Sequence, residues 1–383
     1  MKRIATLALC LALLAPALAA CSEPGVGISP SQNYYWEGLE QPSDSGGADP
    51  VPQIDYDAAF AMFSPDAVML TMGEYQITWA EMFFHLRSVL GSLISNYGGL
   101  PDLSELVSED TTYAQAVMQY AIDNAVVYKA VEHGAKQYGV TFDAEDEETL
   151  QTEFVGMADT YGGIDEFLKI LWEEDGIYSY DIFYYLYSIP YLLENIFDDV
   201  YGVDGELLTD EMVSELIGSE EYLMAKHILR MKTEDGDTVP LEETEEILRQ
   251  LDEYEGDDFD AFFDSLMNEN SEDAGGLASF PNGYLFQYGD MVQEFYNGCL
   301  SLEIGEYSRA VETTYGYHII YRLPVSYDEV PMYYASQYDY RTLRSIAARG
   351  ALNTELQEWV ELMNPVKNPE FESLDLSALF SYS

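Results

Sequence analysis

Val311-Glu-Thr-Thr-Tyr-Gly-Tyr-His-Ile-Ile320 reads as two strands folded about Thr314-Tyr315-Gly316. On the second strand Gly316, His318 and Ile320 alternate onto one face. A second stretch, Tyr222-Leu-Met-Ala-Lys-His-Ile-Leu-Arg-Met231, also reads as a strand, with Ala225, His227 and Leu229 on one face. The chain has only four histidines, and two of them stand on these strands. A strand histidine facing an apolar core needs a partner for its ring nitrogens. Taken singly, each reads as a satisfied core residue; on neighbouring strands the two can satisfy one another. His85 and His133 fall on helices and read as structural or solvated.

Between these strands the hydrophobic period changes from two to helical. Residues 241–253 and 259–268 form two acidic helices, Gly275-Gly276-Leu277 opens a turn or strand, and residues 291–300 form a short helix. Residues 219–324 are therefore an α+β unit.

Outward from this unit the chain is helical. Amphipathic stretches cover residues 112–138, 147–161, 164–174, 178–201 and 209–216, with breaks at Gly98-Gly99, Gly139, Gly162-Gly163 and Gly202. Residues 68–75 read as a short strand ending at Gly73. Thr78-Trp79-Ala80-Glu81 is a capping box that opens a further helix. Pro190 is expected to kink the 178–201 stretch, which is rich in tyrosine. Those tyrosines read as core and boundary packing, or as an adaptable aromatic surface for unfolded chains. A last helix, 340–363, carries one apolar stripe of Leu343, Ile346, Leu352, Leu356, Trp359, Val360 and Met363. Its simplest partner is the N-terminal helical part, which makes 219–324 an insertion. Residues 364–383 are expected to be a loose tail.

The N-terminus reads as an address. Lys2 and Arg3 precede an apolar run too short to span a bilayer, and Leu18-Ala19-Ala20-Cys21 closes it. Small residues before a cysteine resemble a lipobox, in which Cys21 carries acyl chains such as palmitate. The alternative is an ordinary secretory signal with an incidental cysteine. Residues 21–55 are rich in Ser, Pro and Gly and read as a flexible tether.

Composition excludes several classes. The 383 residues carry 16 Lys+Arg against 70 Asp+Glu, a formal charge of −54. No basic footprint for phosphates exists, so nucleic acid is excluded as a partner. Such a charge repels an anionic membrane surface, so any membrane attachment must be through lipid. Hydrophobic residues make up 48%, too many for a disordered chain. Three cysteines exclude a disulfide scaffold. The acidic runs lack the ligand order of an EF-hand, and no metal or cofactor is expected.

Six blocks carry a family resemblance: Ala225-Lys-His-Ile-Leu229, Phe263-Asp-Ser-Leu-Met-Asn-Glu-Asn-Ser-Glu-Asp273, Gly275-Gly-Leu277, Met291-Val-Gln-Glu-Phe295, Gly305-Glu-Tyr-Ser308 and Val311 to Ile320. In order and spacing they resemble the parvulin-type peptidyl-prolyl isomerases. With the lipobox and flanking helices, the whole chain is similar to foldase lipoproteins of the PrsA kind. The resemblance implies a helical chaperone-like domain, residues 56–218 with 325–383, holding an inserted four-stranded sheet wrapped by helices, residues 219–324. It implies that His227 and His318 are the family's paired buried histidines, Asp273 the acidic residue beside them and Thr313 the threonine bonded near the second histidine. Leu277, Met291 and Phe295 match the apolar cup for the proline ring. Its clients would be unfolded or partly folded exported proteins with X–Pro bonds, met outside the cytoplasm on the cell membrane. The oligomeric state, a dimer included, is left open.

The chain departs from the family pattern where the Asp after Gly-Gly is absent and Ala278 to Tyr284 forms an enlarged loop. Phospho-specific parvulins place basic residues after the first strand. Here residues 231–237 are acidic overall, so a preference for phosphoserine-proline is not expected. A competing reading is a holdase whose isomerase domain is vestigial. A solute-binding lipoprotein would need repeated βα units, which are not seen.

Overall fold

The computed structural model describes residues 54–108, 110–218, 222–232 and 238–380. The leader, Cys21, nearly all of the tether and most of the acidic loop 231–237 lie outside the described residues. The chain divides into two compact units, one of residues 1–200 with 351–383 and one of residues 201–350.

In the first unit α1 (Tyr56–Phe60) leads to a hairpin, β1 (Val68–Met72) and β2 (Tyr75–Thr78), turning at Gly73. The single strand expected over 68–75 is thus two, because Gly73 adopts a left-handed conformation and reverses the chain. Thr78 ends β2 and caps α2 (Trp79–Tyr97). Its backbone N–H donates to Glu81 Oε2 at 2.6 Å, and its hydroxyl accepts from Glu81 N–H at 3.4 Å. A second capping box, Thr112 with Gln115, opens α3 (Tyr113–Tyr138), and Asp143 caps α4 (Ala144–Thr160). Then come α5 (Ile164–Asp175) and α6 (Tyr180–Tyr201), which runs on through Pro190 as one helix. Trp79 and Phe83 of α2 are fully buried and meet Phe60, Trp172 and Phe380 edge to face, stacked or tilted.

The C-terminal segment contradicts the expected loose tail. After α13 (Leu343–Met363), β7 (Val366–Lys367) pairs antiparallel with β1, giving the sheet order β2-β1-β7. Two short helices follow, α14 (Pro369–Glu372) and α15 (Leu376–Leu379), and Phe371, Leu376 and Phe380 are buried. These apolar side chains are too few and too widely spaced to show a period, yet each fills a site in the core. Within this unit Trp359 packs on α3 where Gly134 has no side chain: a Cβ there would overlap the indole.

The second unit begins earlier and ends later than residues 219–324. It takes in α7 (Asp210–Ile217) and the segment before α13, which holds the short helix α12 (Met332–Ser336). Arg344 explains the wider boundary. It donates to Leu208 O at 2.7 Å and Asp210 at 2.7 Å, and pairs with Asp328 at 2.6 Å. The unit's sheet is antiparallel in the order β4-β3-β6-β5, with β3 (Leu223–Met231), β4 (Tyr284–Phe286), β5 (Val311–Glu312) and β6 (Gly316–Leu323). One face, bearing Ile228, Ile319 and Tyr321, packs on α8 (Thr238–Asp252) and α9 (Phe259–Asn270) through Ile247, Leu251, Phe263 and Met267. The other, bearing Ala225 and Ile320, packs on α11 (Gln293–Leu300) through Phe295, Tyr296 and Cys299. Gly275-Gly276-Leu277 lies in a short helix, α10 (Ala274–Ser279), because Asp273 caps it by accepting from Gly276 N–H. Among the described residues no helix is long and apolar enough to cross a membrane.

Candidate active site

The long β3–β6 pairing sets the site. Its register places His227 opposite Ile320 and Leu229 opposite His318, so the two histidines are diagonal neighbours on one face. Both are buried. Their rings are nearly parallel, and the two Nδ1 atoms lie 2.9 Å apart. His227 Nε2 is 2.9 Å from Asp273 Oδ2, and His318 Nε2 is 2.9 Å from Thr313 Oγ1. Thr313 is held by the turn between β5 and β6, where its N–H donates to Gly316 O at 2.8 Å.

These contacts have one direction. Thr313 Oγ1 accepts from Tyr315 N–H at 3.1 Å, so its own proton must find an acceptor. His318 Nε2 is closer than Gly316 O, which is 3.4 Å away. His318 Nε2 therefore accepts, and Nδ1–H donates to His227 Nδ1. That leaves His227 Nε2–H to donate to Asp273. The tautomers follow from this pattern of partners.

Electrostatics agree. The hydrogen bond from His227 holds the Asp273 carboxyl well below its usual range, aided by Tyr284 and Gly276 N–H and opposed by burial. Burial, then the neighbouring His227, lowers His318 to about 3, so its ring is neutral at ordinary pH. Burial pushes the Cys299 thiol up to about 11, as befits a packing residue on α11.

Phe295 presents its ring at right angles to His227 and His318, at 5.2 and 5.4 Å, and is 2% exposed. Met291 is half-buried on the same apolar cluster. Leu277 packs against the cluster of α8 and α9, whereas Met291 packs against the cluster of α11 that holds Phe295. Together with His227, Asp273, Tyr284, Phe280 and Lys226, Leu277 lines a hollow open to solvent.

Tyr284 was missed by sequence reasoning. Its hydroxyl donates to Asp273 Oδ2 at 2.6 Å and its ring lies 5.5 Å from His227. Gly276 makes room for it, since a Cβ there would overlap both the phenol and the carboxylate. The only sign in the sequence was an aromatic directly after Gly283, at the start of the strand that pairs with Ala225. His85 is buried in the first unit, where burial and then Lys129 lower it to about 3. His133 Nδ1 lies 3.5 Å from the Tyr75 hydroxyl.

Residues 217–323 match the family described as the PPIC-type PPIASE domain. The foldase protein PrsA of Clostridium perfringens is 24% identical over 262 residues, covering 65% of this chain and 70% of the relative. The foldase protein PrsA of Halalkalibacterium halodurans is 37% identical over 134 residues, covering 34% of this chain and 36% of the relative. A crystal structure of PrsA from Bacillus cereus is 18% identical and covers 82% of this chain and 96% of that one, with a TM-score of 0.30. The matched segment coincides with the sheet that pairs the histidines, and on that agreement residues 217–323 form a parvulin-type peptidyl-prolyl cis/trans isomerase domain, in a chain similar to the PrsA foldases.

Proposed function

We propose that catalysis is carried by His227, Asp273, His318 and Thr313 beside an apolar seat formed by Met291 and Phe295. The observation that supports this most is the continuous chain of hydrogen bonds from Asp273 through both imidazoles to Thr313. An X–Pro bond favours trans by only about 0.5–1 kcal/mol, but its exchange barrier is about 18–20 kcal/mol. No bond is made or broken, so no nucleophile is required. The twisted transition state has lost amide resonance and separates less charge than the planar amide. A dry, apolar seat withdraws solvation from the planar carbonyl and so favours the twisted form. The fixed polar network behind it keeps the floor rigid, with every polar atom paired. A barrier lowered by about 5 kcal/mol raises the rate by nearly four decades. The holdase-only reading is not favoured, because all four polar members of the network are present and paired.

We place the protein outside the cytoplasm, held to the membrane by lipid on Cys21 and acting on exported, partly folded chains. The lipobox-like Leu18 to Cys21 and the foldase relatives support this. The decisive experiment is isomerisation of X–Pro peptides by the full chain beside His318→Ala. The expected loss in kcat/KM is about two decades, the scale of a misplaced binding surface. Equal rates in the two proteins, both folded, would overturn the assignment of these residues.

A further inference from the structure

We infer that the hollow beside Asp273 is a second subsite of the isomerase, which takes the apolar side chain of the client residue preceding the proline, with Leu277 and Phe280 as its walls. The inference rests on the site proposed above and extends it by one client residue.

The hollow starts at the floor of the site. His227 and Asp273 border it, and its apolar lining comes from Met267 of α9, Leu277 of α10 and Phe280 just beyond α10. Met267 is buried, whereas Leu277 and Phe280 are half-buried and keep part of their surface for a ligand. Phe280 also packs against the cluster that holds Phe295, so one ring belongs to both the proline seat and the hollow. The ring of Phe295 stands 5.2 Å from that of His227, and Tyr284, which borders the hollow, stands 5.5 Å from the same imidazole. Successive Cα atoms of a client chain are about 3.8 Å apart. A proline seated against Phe295 therefore brings the side chain before it within reach of the hollow across one imidazole.

The polar groups around the hollow decide what enters it, and they are engaged within the protein. Asp273 accepts from Tyr284 at 2.6 Å, from His227 Nε2–H at 2.9 Å and from Gly276 N–H at 3.0 Å. Lys226 Nζ donates to Asp264 Oδ1 at 2.6 Å, and Ser271 Oγ accepts from Leu229 N–H at 3.2 Å. A charged or polar side chain entering here would have to break these bonds or go without a partner, and either is costly. An aliphatic side chain covers Leu277 and Phe280 and leaves the bonds intact.

The test is a panel of X–Pro peptides with Ala, Leu, Lys or Glu before the proline, run on the full chain, and a second panel that varies the residue after it. In the parent protein kcat/KM for Leu-Pro should exceed that for Ala-Pro about tenfold, with Lys-Pro and Glu-Pro no faster than Ala-Pro. Leu277→Asn and Phe280→Asn should each bring the Leu-to-Ala ratio close to one. Both peptides carry the same proline, so the ratio cancels any change in the proline seat. If one variant misfolds the other carries the comparison, and the parent panel is decisive by itself. A parent ratio near one, a parent that favours Lys-Pro or Glu-Pro, a ratio kept by a folded variant, or selectivity only at the residue after the proline overturns the inference. Unchanged Ala-Pro activity after His318→Ala would instead remove the site on which it rests.

Discussion

Lowering the pH from 7 to 5 should weaken the second unit through one ring. His318 titrates near 3 in the folded protein, against 6.5 for a free histidine, because burial and then His227 disfavour its charge. The unfolded chain therefore takes up a proton that the folded chain refuses. Stability is fully present above about 6.5 and is lost as pH falls from there toward about 3. One pKa unit corresponds to about 1.36 kcal/mol, so the loss is about 2 kcal/mol at pH 5 and about 4 kcal/mol at pH 3. Stopping at pH 5 keeps Asp273 out of the measurement, since carboxylates begin to protonate only near 4. The four tryptophans all lie outside residues 201–350, so fluorescence is blind to this unit. Native-state hydrogen exchange at the amides of Ile228 and Ile319, central in the β3–β6 ladder, is the assay. Protection free energy should fall by about 2 kcal/mol between pH 7 and 5 in the parent. In His318→Gln it should fall much less. Equal slopes in the two proteins would refute the reasoning.

Two further outcomes concern the first unit. Gly134→Ala puts a methyl into the Trp359 indole and should cost about 1–3 kcal/mol in urea unfolding followed by tryptophan fluorescence. Lys129 pairs with Glu81 at 2.9 Å, both largely buried, so Lys129→Met strands a buried carboxylate and should cost about 3–5 kcal/mol. The double variant Lys129→Met/Glu81→Gln should recover part of that loss in the same assay.

The elements most legible in the sequence were those with strong local signals. Thr78 with Glu81 announced a helix start, and the glycines at 98 and 139 announced helix ends, which they form in left-handed conformation. The alternation around His227 and His318 gave both the strands and the shared face. Legibility failed where long-range packing decides. The tail of the chain has no period, and Phe371 and Phe380 are core residues only because distant helices receive them. Leu277 and Tyr284 exchanged expected importance for a related reason. Asp273 caps a helix at Gly276, and Tyr284 reaches the same carboxylate. Caps of this kind are visible in sequence as an Asp three residues before a glycine, a pattern too common to interpret without the fold.

The pairing of β7 with β1 bears on the order in which the molecule can be completed. Asn368 Nδ2 donates to Val68 O at 2.6 Å across 300 residues of chain. A polypeptide delivered from its N-terminus cannot finish the three-stranded sheet until Val366 and Lys367 emerge. Residues 201–350 form an uninterrupted stretch and face no such delay. The rotamase is thus ready first, while the scaffold that surrounds it in sequence still waits for its closing strand.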